Sequence, residues 1–488
     1  MMMIRIYRTH WINKIPLALA VALSMAACSG PVRQPSAIGA TPAVTPHPSP
    51  AVQATIPLPV QAQPSQTPTS SAPASALGVQ RAALHGLHIH YWYSGSLEYQ
   101  RAIENLVNTY NASSPEGIWV ETRYFGSFGG LMDELRAAPP DSRPEMALTY
   151  PALAAGWDSS GPQPVDLAPY LQDPTWGLSN ADQQAFSINF SARGGTSLTS
   201  LPGYREESLL FYNQTWASEL GFSGQLPGTP QDFQVQACAA AAANQKSKNA
   251  SLAGTGGWIT AATPDVVLSW IAAFGGQDPT GLEFSYQNPA DQQAFAFLKG
   301  MFDAGCAWVS RLPDPAGYFA HRQALFFSGS QNDFSAVNAA MAAAKSSDRW
   351  TVLPYPGQDG KPVVYADGPD NYIFKSTPER QLAAWAFLRW LSQAVNQAGL
   401  AEAAGVLPAR SLTEDQLTPG LKGNALWRAM RGMAGSARAM PAWPGWSEVG
   451  PMLGDAAGQL FQIYTKPDQV PSILDDLDKT IQEVSTHP

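Results

Sequence analysis

Hydrophobic and polar positions alternate along this chain in two registers, and the switch between them is clearest from residue 87 to residue 150. Leu87, Ile89, Tyr91 and Tyr93 interleave with His88, His90 and Trp92, the period-two signature of a strand. Ile103, Leu106, Val107 and Tyr110 then recur at helical spacing and mark one face of a helix. Ile118, Val120, Thr122 and Tyr124 return to period two. Gly126 to Gly130 turns the chain into a helix over 131–138, and 146–150 reads as a third strand. This β-α-β-α-β order predicts a parallel sheet with right-handed crossovers. Ligands of such sheets sit beyond the carboxyl ends of the strands. Further on, helices announce themselves by their starts. Thr229-Pro230-Gln231-Asp232 offers an N-cap, a proline at the first helical position and an acid two residues later. Thr377-Pro378-Glu379 does the same before a helix expected over 381–397, where Leu382, Trp385, Ala386, Leu388 and Trp390 supply a core face.

The amino-terminal pattern is of another kind. Arg5, Arg8 and Lys14 precede a short apolar run from Ile15 to Ala22, which ends in Met25-Ala26-Ala27-Cys28. A basic start, a brief apolar middle and small residues at the cut form a secretory signal over 1–27. The run is far short of the ~20 residues that span a bilayer. A cysteine directly after the small pair is the lipobox arrangement, so Cys28 is expected to carry the lipid after cleavage. The alternative is an ordinary signal with an accidental cysteine. From Cys28 to about residue 84 the chain is rich in Pro, Ser, Thr, Ala and Gln and has no apolar period. Such a segment cannot bury enough surface to offset its ordering. In polyproline II, fifty residues reach on the order of 150 Å, and the expectation is a tether holding a folded body outside the membrane, at the cell surface or in the periplasm.

The remaining body, from residue 85, is too long for one core and predicts two lobes. A net charge of −9 and the absence of a basic stripe argue against a nucleic-acid partner. Cys238 and Cys306 are the only cysteines after Cys28. Outside the cytoplasm they are expected to pair, two buried thiols being the alternative.

Candidate chemistry is sparse. His88-x-His90 puts two imidazoles on one strand face with no third ligand at a familiar spacing, so no metal site is expected. Gly126-x-x-Gly129-Gly130 lacks the lysine and hydroxyl of a P-loop and reads as a tight turn. No G-x-S-x-G elbow occurs. Glu206-Glu207 offers a carboxylate pair to a glycosidase, whose separation a sequence does not give. Aromatic residues say more. Trp92, Tyr93, Phe128, Tyr150, Tyr204, Trp258, Trp443 and Trp446 lie in or beside Gly/Pro/Ser-rich loops. Aromatic faces among polar groups suit sugars, although packing is an equal reading for any single ring.

Several blocks then resemble a known family in order. LHIHYWYS (87–94) looks like a first strand ending in Trp, and AIENLVNTYNASSP (102–115) like the first helix. LPGYREESLLFYN (201–213) is similar to a crossing segment, and AAWAFLRWL (383–391) and AGVLPAR (404–410) to a late helix and its exit. Together they resemble the family 1 extracellular solute-binding proteins, the capturing subunits of ABC importers for oligosaccharides and glycerol phosphates. The resemblance implies an α/β, two-lobe periplasmic-binding-protein-like fold of type II with a cleft between the lobes. Crossings would fall near 204–208, 365–368 and 406–408. Lobe 1 would then hold 85–204 with 366–406, and lobe 2 would hold 205–365 with 407–488. It implies ligand contacts at Trp92, Ser94, Phe128, Tyr150, Tyr204, Glu206, Trp258, Ser330 and Gly368, with Trp443 and Trp446 added from the late loop. It implies a monomer that uses no cofactor and no reaction, and that hands a carbohydrate to ABC permease subunits. Val406 stands where glycerol-phosphate binders show a tyrosine, Trp443 and Trp446 replace an expected arginine, and Arg322 occupies a usual glycine position. These departures favour a neutral saccharide. A surface glycosidase or other hydrolase, and a ligand-sensing receptor for a signalling partner, are the rival readings.

Overall fold

The computed structural model describes residues 75–157, 161–186, 198–310 and 314–485. The signal segment, Cys28 and the first part of the tether lie outside them. The end of the expected tether, residues 75–84, is packed on the body. Ser75 Oγ and the Ala76 N–H donate to Asp173 at 2.8 Å, Arg81 pairs with Glu116 at 2.7 Å, and Leu84 is fully buried. Residues 75–84, assigned to the tether by composition, therefore belong to the folded body, held down by one aspartate and one apolar side chain.

Two five-stranded sheets organise the molecule. The first runs in the order Trp119–Phe125, His88–Ser94, Met146–Thr149, Asp370–Ile373, Ser200–Pro202. Its first three strands are parallel, and Asp370–Ile373 is antiparallel to both of its neighbours. The helix Leu97–Ser113, capped by Ser96, buries Tyr99, Ala102, Ile103, Val107 and Tyr110 against it. The second sheet runs Trp350–Leu353, Leu209–Asn213, Phe326–Gly329, Trp258–Thr260, Ala307–Val309. It carries the largest apolar cluster, built with helices Pro230–Gln245, Pro264–Ala273, Pro289–Asp303 and Trp446–Leu460.

Three segments pass between these sheets, and they pair with one another. Leu407–Pro408, Tyr204–Glu207 and Tyr365–Asp367, with Arg438–Ala439 at the edge, form a four-stranded hinge sheet. Gly368 closes it. Its φ of +145° lies in the region that favours glycine, and a Cβ there would stand 2.2 Å from the Tyr204 carbonyl oxygen.

Local details differ from the sequence expectation in instructive ways. The helix expected over 381–397 is two helices, Pro378–Leu391 and Ala394–Ala404. Ser392 Oγ donates back to the Leu388 carbonyl at 2.7 Å, and Gln393 is extended and caps the second helix. Hydroxyls that compete with the helix ladder favour such breaks. His88 Nδ1 stands 2.7 Å from Glu121 and His90 Nδ1 3.2 Å from the buried Glu145. Arg322 has φ +56°, so the backbone keeps the turn a glycine would make, and its guanidinium is held by Glu219 and Asp348 at 2.6 Å. Cys238, on helix Pro230–Gln245, is bonded to Cys306, which lies just past helix Pro289–Asp303 rather than on it.

Candidate functional site at the hinge sheet

The hinge strand Tyr204–Glu207 decides the site by its alternation. Glu206 opposes Asp367 in the neighbouring strand, so the two carboxylates share one face. Arg205 opposes Leu407 and Glu207 opposes Ala366, which places this second set on the other face. Adjacent Glu206 and Glu207 thus leave the strand in opposite directions and do not flank one bond as a glycosidase pair must.

On the Glu206 face a cavity of about 410 Å³ lies between the lobes. Tyr150 and Leu153 line it from the end of the first sheet. Glu206, Tyr365 and Asp367 form its floor. Asp265, Ser330 and Trp446 enter from the second lobe. Each is positioned by a local device. Tyr150 follows a sheet strand and caps the short helix Pro151–Ala154, with its ring edge-on to Phe128 at 4.7 Å between centroids. Ser330 caps the turn that follows strand Phe326–Gly329, and its N–H donates to Asp333 at 2.8 Å. Asp265 opens a helix after Thr263-Pro264 and accepts the Ser208 hydroxyl at 2.7 Å. Trp446 is the first residue of helix Trp446–Leu460, turned inward by Gly445 at φ +93°.

The electrostatics are acidic. Burial, with Asp367 and Asp333 nearby, pushes the Glu206 carboxyl up to about 7. Burial alone pushes Glu207 up to about 8, and neither of its oxygens has a hydrogen-bond partner. Behind the sheet, Arg205 pairs with buried Asp370 at 2.9 Å, which also accepts the Ser200 hydroxyl.

Of the residues expected at the ligand, Tyr150, Glu206, Ser330 and Trp446 meet at this cavity. Phe128 stands one ring away, behind Tyr150. The others serve elsewhere. Trp92 is buried beneath helix Phe128–Ala137, tilted against Phe125 and under the Arg123 guanidinium at 4.9 Å. Ser94 is buried at the end of its strand, and Tyr204 is buried against the Tyr99 ring at 4.6 Å. Gly368 fills the hinge contact described above. Trp443 donates its N–H to the Pro279 carbonyl at 2.8 Å and packs beside Trp446. Trp258 is 0 % exposed, packed against Phe233 and Trp270, with its N–H donating to Ser328 Oγ at 3.1 Å. No face of that ring is left for a ligand, so the stacking role expected for it does not hold.

Sequence reasoning missed Asp265, Ser208, Tyr365 and Asp367. Thr263-Pro264-Asp265 repeats the helix-start signal used at Thr229 and Thr377. Asp367 sits directly before the glycine of a crossing. Both signals were present in the sequence without any indication that the residues face a cavity.

Two α/β lobes, a hinge of crossing strands and a polar, aromatic-lined cavity between them define a two-lobe binding protein of the periplasmic type. The chain matches the family of bacterial extracellular solute-binding proteins over residues 105–424, and it belongs to that family. No curated protein matches it in sequence. Solved structures of the same fold do. The cyclic α-maltosyl-1,6-maltose binding protein from Arthrobacter globiformis has a TM-score of 0.67 at 15% identity, covering 81% of this chain and 98% of that one. The sugar-binding protein MalE from the phytopathogen Xanthomonas citri has a TM-score of 0.67 at 19% identity, covering 82% and 98%. UgpB from Mycobacterium tuberculosis, in complex with glycerophosphocholine, has a TM-score of 0.64 at 17% identity, covering 82% and 98%.

Proposed function

We propose that this protein captures a carbohydrate outside the cytoplasm by closing its two lobes over the hinge sheet and delivers it to the permease subunits of an ABC importer. The cavity carries this reading. The rings of Tyr150 and Trp446 stand there beside the carboxylates of Glu206, Asp265 and Asp367 and the hydroxyl of Ser330. Flat apolar faces take the C–H side of a sugar, and carboxylates take its hydroxyl protons. A phosphate would face these acids with no cation among the described lining residues. That argues against a ligand like the glycerophosphocholine bound by UgpB and for a sugar, as in the two sugar-binding proteins. Ligand bridging both lobes favours the closed form, and the three crossing strands are the natural hinge.

The protein is proposed to work as a monomer tethered by lipid at Cys28 on the extracytoplasmic face of the membrane. Among the described residues no helix is long and apolar enough to cross a membrane. Cys28→Ala should release the protein to the medium or periplasm or leave an uncleaved precursor. Retention as a mature membrane-bound form would contradict the anchor. The solute is tested by thermal shift against sugars, polyols and their phosphates, since a ligand at 100 times its Kd adds about 2.7 kcal/mol. A shift with phosphates and none with sugars would overturn the carbohydrate reading.

A further inference from the structure

A second cavity, of about 310 Å³, lies behind the hinge sheet, on the face of Arg205 and Glu207 rather than that of Glu206 and Asp367. All three crossing strands line it: Arg205 and Glu207 from the first, Ala366 from the second, Leu407 and Pro408 from the third. Helix Ala425–Ala434 adds Trp427 and Arg431.

Three buried side chains bring to this cavity polar atoms that no described group meets. Glu207 is 0 % exposed, and neither of its carboxyl oxygens has a hydrogen-bond partner. Trp427 is 3 % exposed, and its indole N–H is unmet. Arg410 is 7 % exposed. Its terminal nitrogens are held by Asp182 and the Ser392 carbonyl, while its Nε–H is unmet. Folded proteins seldom leave a buried polar group in this state, and each one costs stability. Three around one cavity point to a ligand that meets them together.

The chemistry of that ligand follows from what is offered. Trp427 Nε1 and Arg410 Nε only donate. Burial pushes the Glu207 carboxyl up to about 8, so at neutral pH it keeps its proton and donates as well. Arg205, Arg410 and Arg431 line the cavity, whereas the carboxylates paired with them, Asp370, Asp182 and Glu414, are not among its described lining residues. The back of the sheet is therefore rich in donors and positive charge, the inverse of the acidic front. The rest of the wall is apolar, formed by Leu407, Pro408, Leu412 and the Trp427 ring. A bare inorganic anion would leave that wall uncovered. A carboxylate accepts at both oxygens and donates at neither, and an organic one carries an apolar body for the wall.

We propose that this cavity is a second ligand site, separate from the solute cleft, that takes a small organic monocarboxylate. The carboxylate meets the Trp427 and Arg410 N–H groups and the Glu207 carboxyl, and the apolar body lies against Leu407, Pro408 and Leu412. An occupant touches all three segments on which lobe closure turns, and any effect it has on solute affinity is reciprocal. The site does not depend on the carbohydrate reading of the front cleft.

The test is calorimetric titration of the full chain with short branched alkanoates and benzoate, each beside its uncharged amide. At least one carboxylate should bind about tenfold tighter than its amide. Trp427→Phe keeps the ring and removes the donor, and it should weaken that carboxylate about tenfold. Arg431→Gln, at the part-exposed rim, should weaken it about threefold and carries the test if the tryptophan variant does not fold. Absence of binding by every carboxylate at about 10 mM overturns the site. So does equal binding of the amides, or carboxylate binding that the folded variants leave unchanged. None of these outcomes touches sugar binding at the front cleft, which is titrated separately.

Discussion

Trp258 and Trp446 look alike in the sequence and have opposite situations in the structure. Each follows a glycine, in a stretch poor in charge and rich in residues that make loops. The glycines before Trp258 do not open a loop to solvent; they permit close packing. A Cβ on Gly256 would stand 2.6 Å from the Ala240 carbonyl oxygen, and one on Gly257 would stand 2.1 Å from that of Cys306. The chain passes between a helix and the Cys306 backbone, and Trp258 begins a strand inside the second sheet. Gly445 acts differently. It turns the chain so that Trp446 starts a helix whose first turn faces the hinge sheet. Gly256, Gly257 and Gly445 all have positive φ, at +101°, +57° and +93°, so a left-handed turn alone does not bring a neighbouring ring to a cleft; what sets Trp258 apart is the backbone pressed against its two glycines.

The sharpest way to break this comparison is to remove the ring that is fully enclosed. Trp258→Ala should cost about 3–5 kcal/mol of stability, as a buried aromatic does. The fraction that remains folded should bind solute with unchanged affinity. Weakened binding with an unchanged melting curve would return Trp258 to the site. Next in size is the disulfide, one cysteine of which is hydrogen-bonded to the Trp258 backbone. The Trp258 backbone N–H donates to the Cys306 carbonyl at 2.9 Å, and the Cys238–Cys306 bond closes a separation of 68 residues. Replacing both cysteines by serine should destabilise by about 2–4 kcal/mol. Mass spectrometry of unreduced peptides checks the bond itself, and denaturant melts check its effect.

Trp446→Ala should show the reverse balance. The ring is nearly buried, and its loss will lower the melting temperature. Affinity should fall as well, by about 1–3 kcal/mol or roughly ten- to hundredfold. Titration beside a melting curve separates the two tryptophans by the ratio of these losses. Equal ratios for both variants would erase the distinction drawn between them.

The same contrast marks how far the sequence can be read. The strands at 88–94 and 119–125 and the helix at 97–113 are legible because their hydrophobic periods are local and unambiguous. The break at Ser392 is not, since the apolar face continues on both sides of it. The cavity is less legible still. Tyr150, Glu206, Ser330 and Trp446 come from four distant segments and meet only because Tyr204 pairs with Pro408 and Glu206 pairs with Asp367. Family blocks pointed to the crossings, whereas nothing in a local period says which face of a crossing strand looks into a cleft. The loop setting of Trp92, Tyr204 and Trp258 predicts ligand contacts, whereas tertiary burial places all three in cores.

The smallest effect concerns a buried acid of the hinge strand rather than a ring. The Trp258 indole N–H is satisfied by Ser328, whereas Glu207, on the face of the strand opposite Glu206, keeps two buried oxygens without a hydrogen-bond partner. Its carboxyl is pushed from 4.5 up to about 8 by burial. The unfolded chain loses this proton near 4.5, and the folded chain holds it until about 8. The folded state therefore binds more protons between those values, and stability falls as pH rises through the interval. The full shift would correspond to about 5 kcal/mol, an upper bound that water entry and relaxation reduce. Glu207→Gln keeps the shape and removes the charge. At pH 8 it should raise stability by about 1–2 kcal/mol, with little change at pH 5, where the native carboxyl is already neutral. Melting curves of both proteins from pH 5 to 8 read this directly. A variant whose melting temperature tracks the parent at every pH would mean that Glu207 is solvated or paired, and the back of the hinge strand would then be no different in kind from the satisfied surroundings of Trp258.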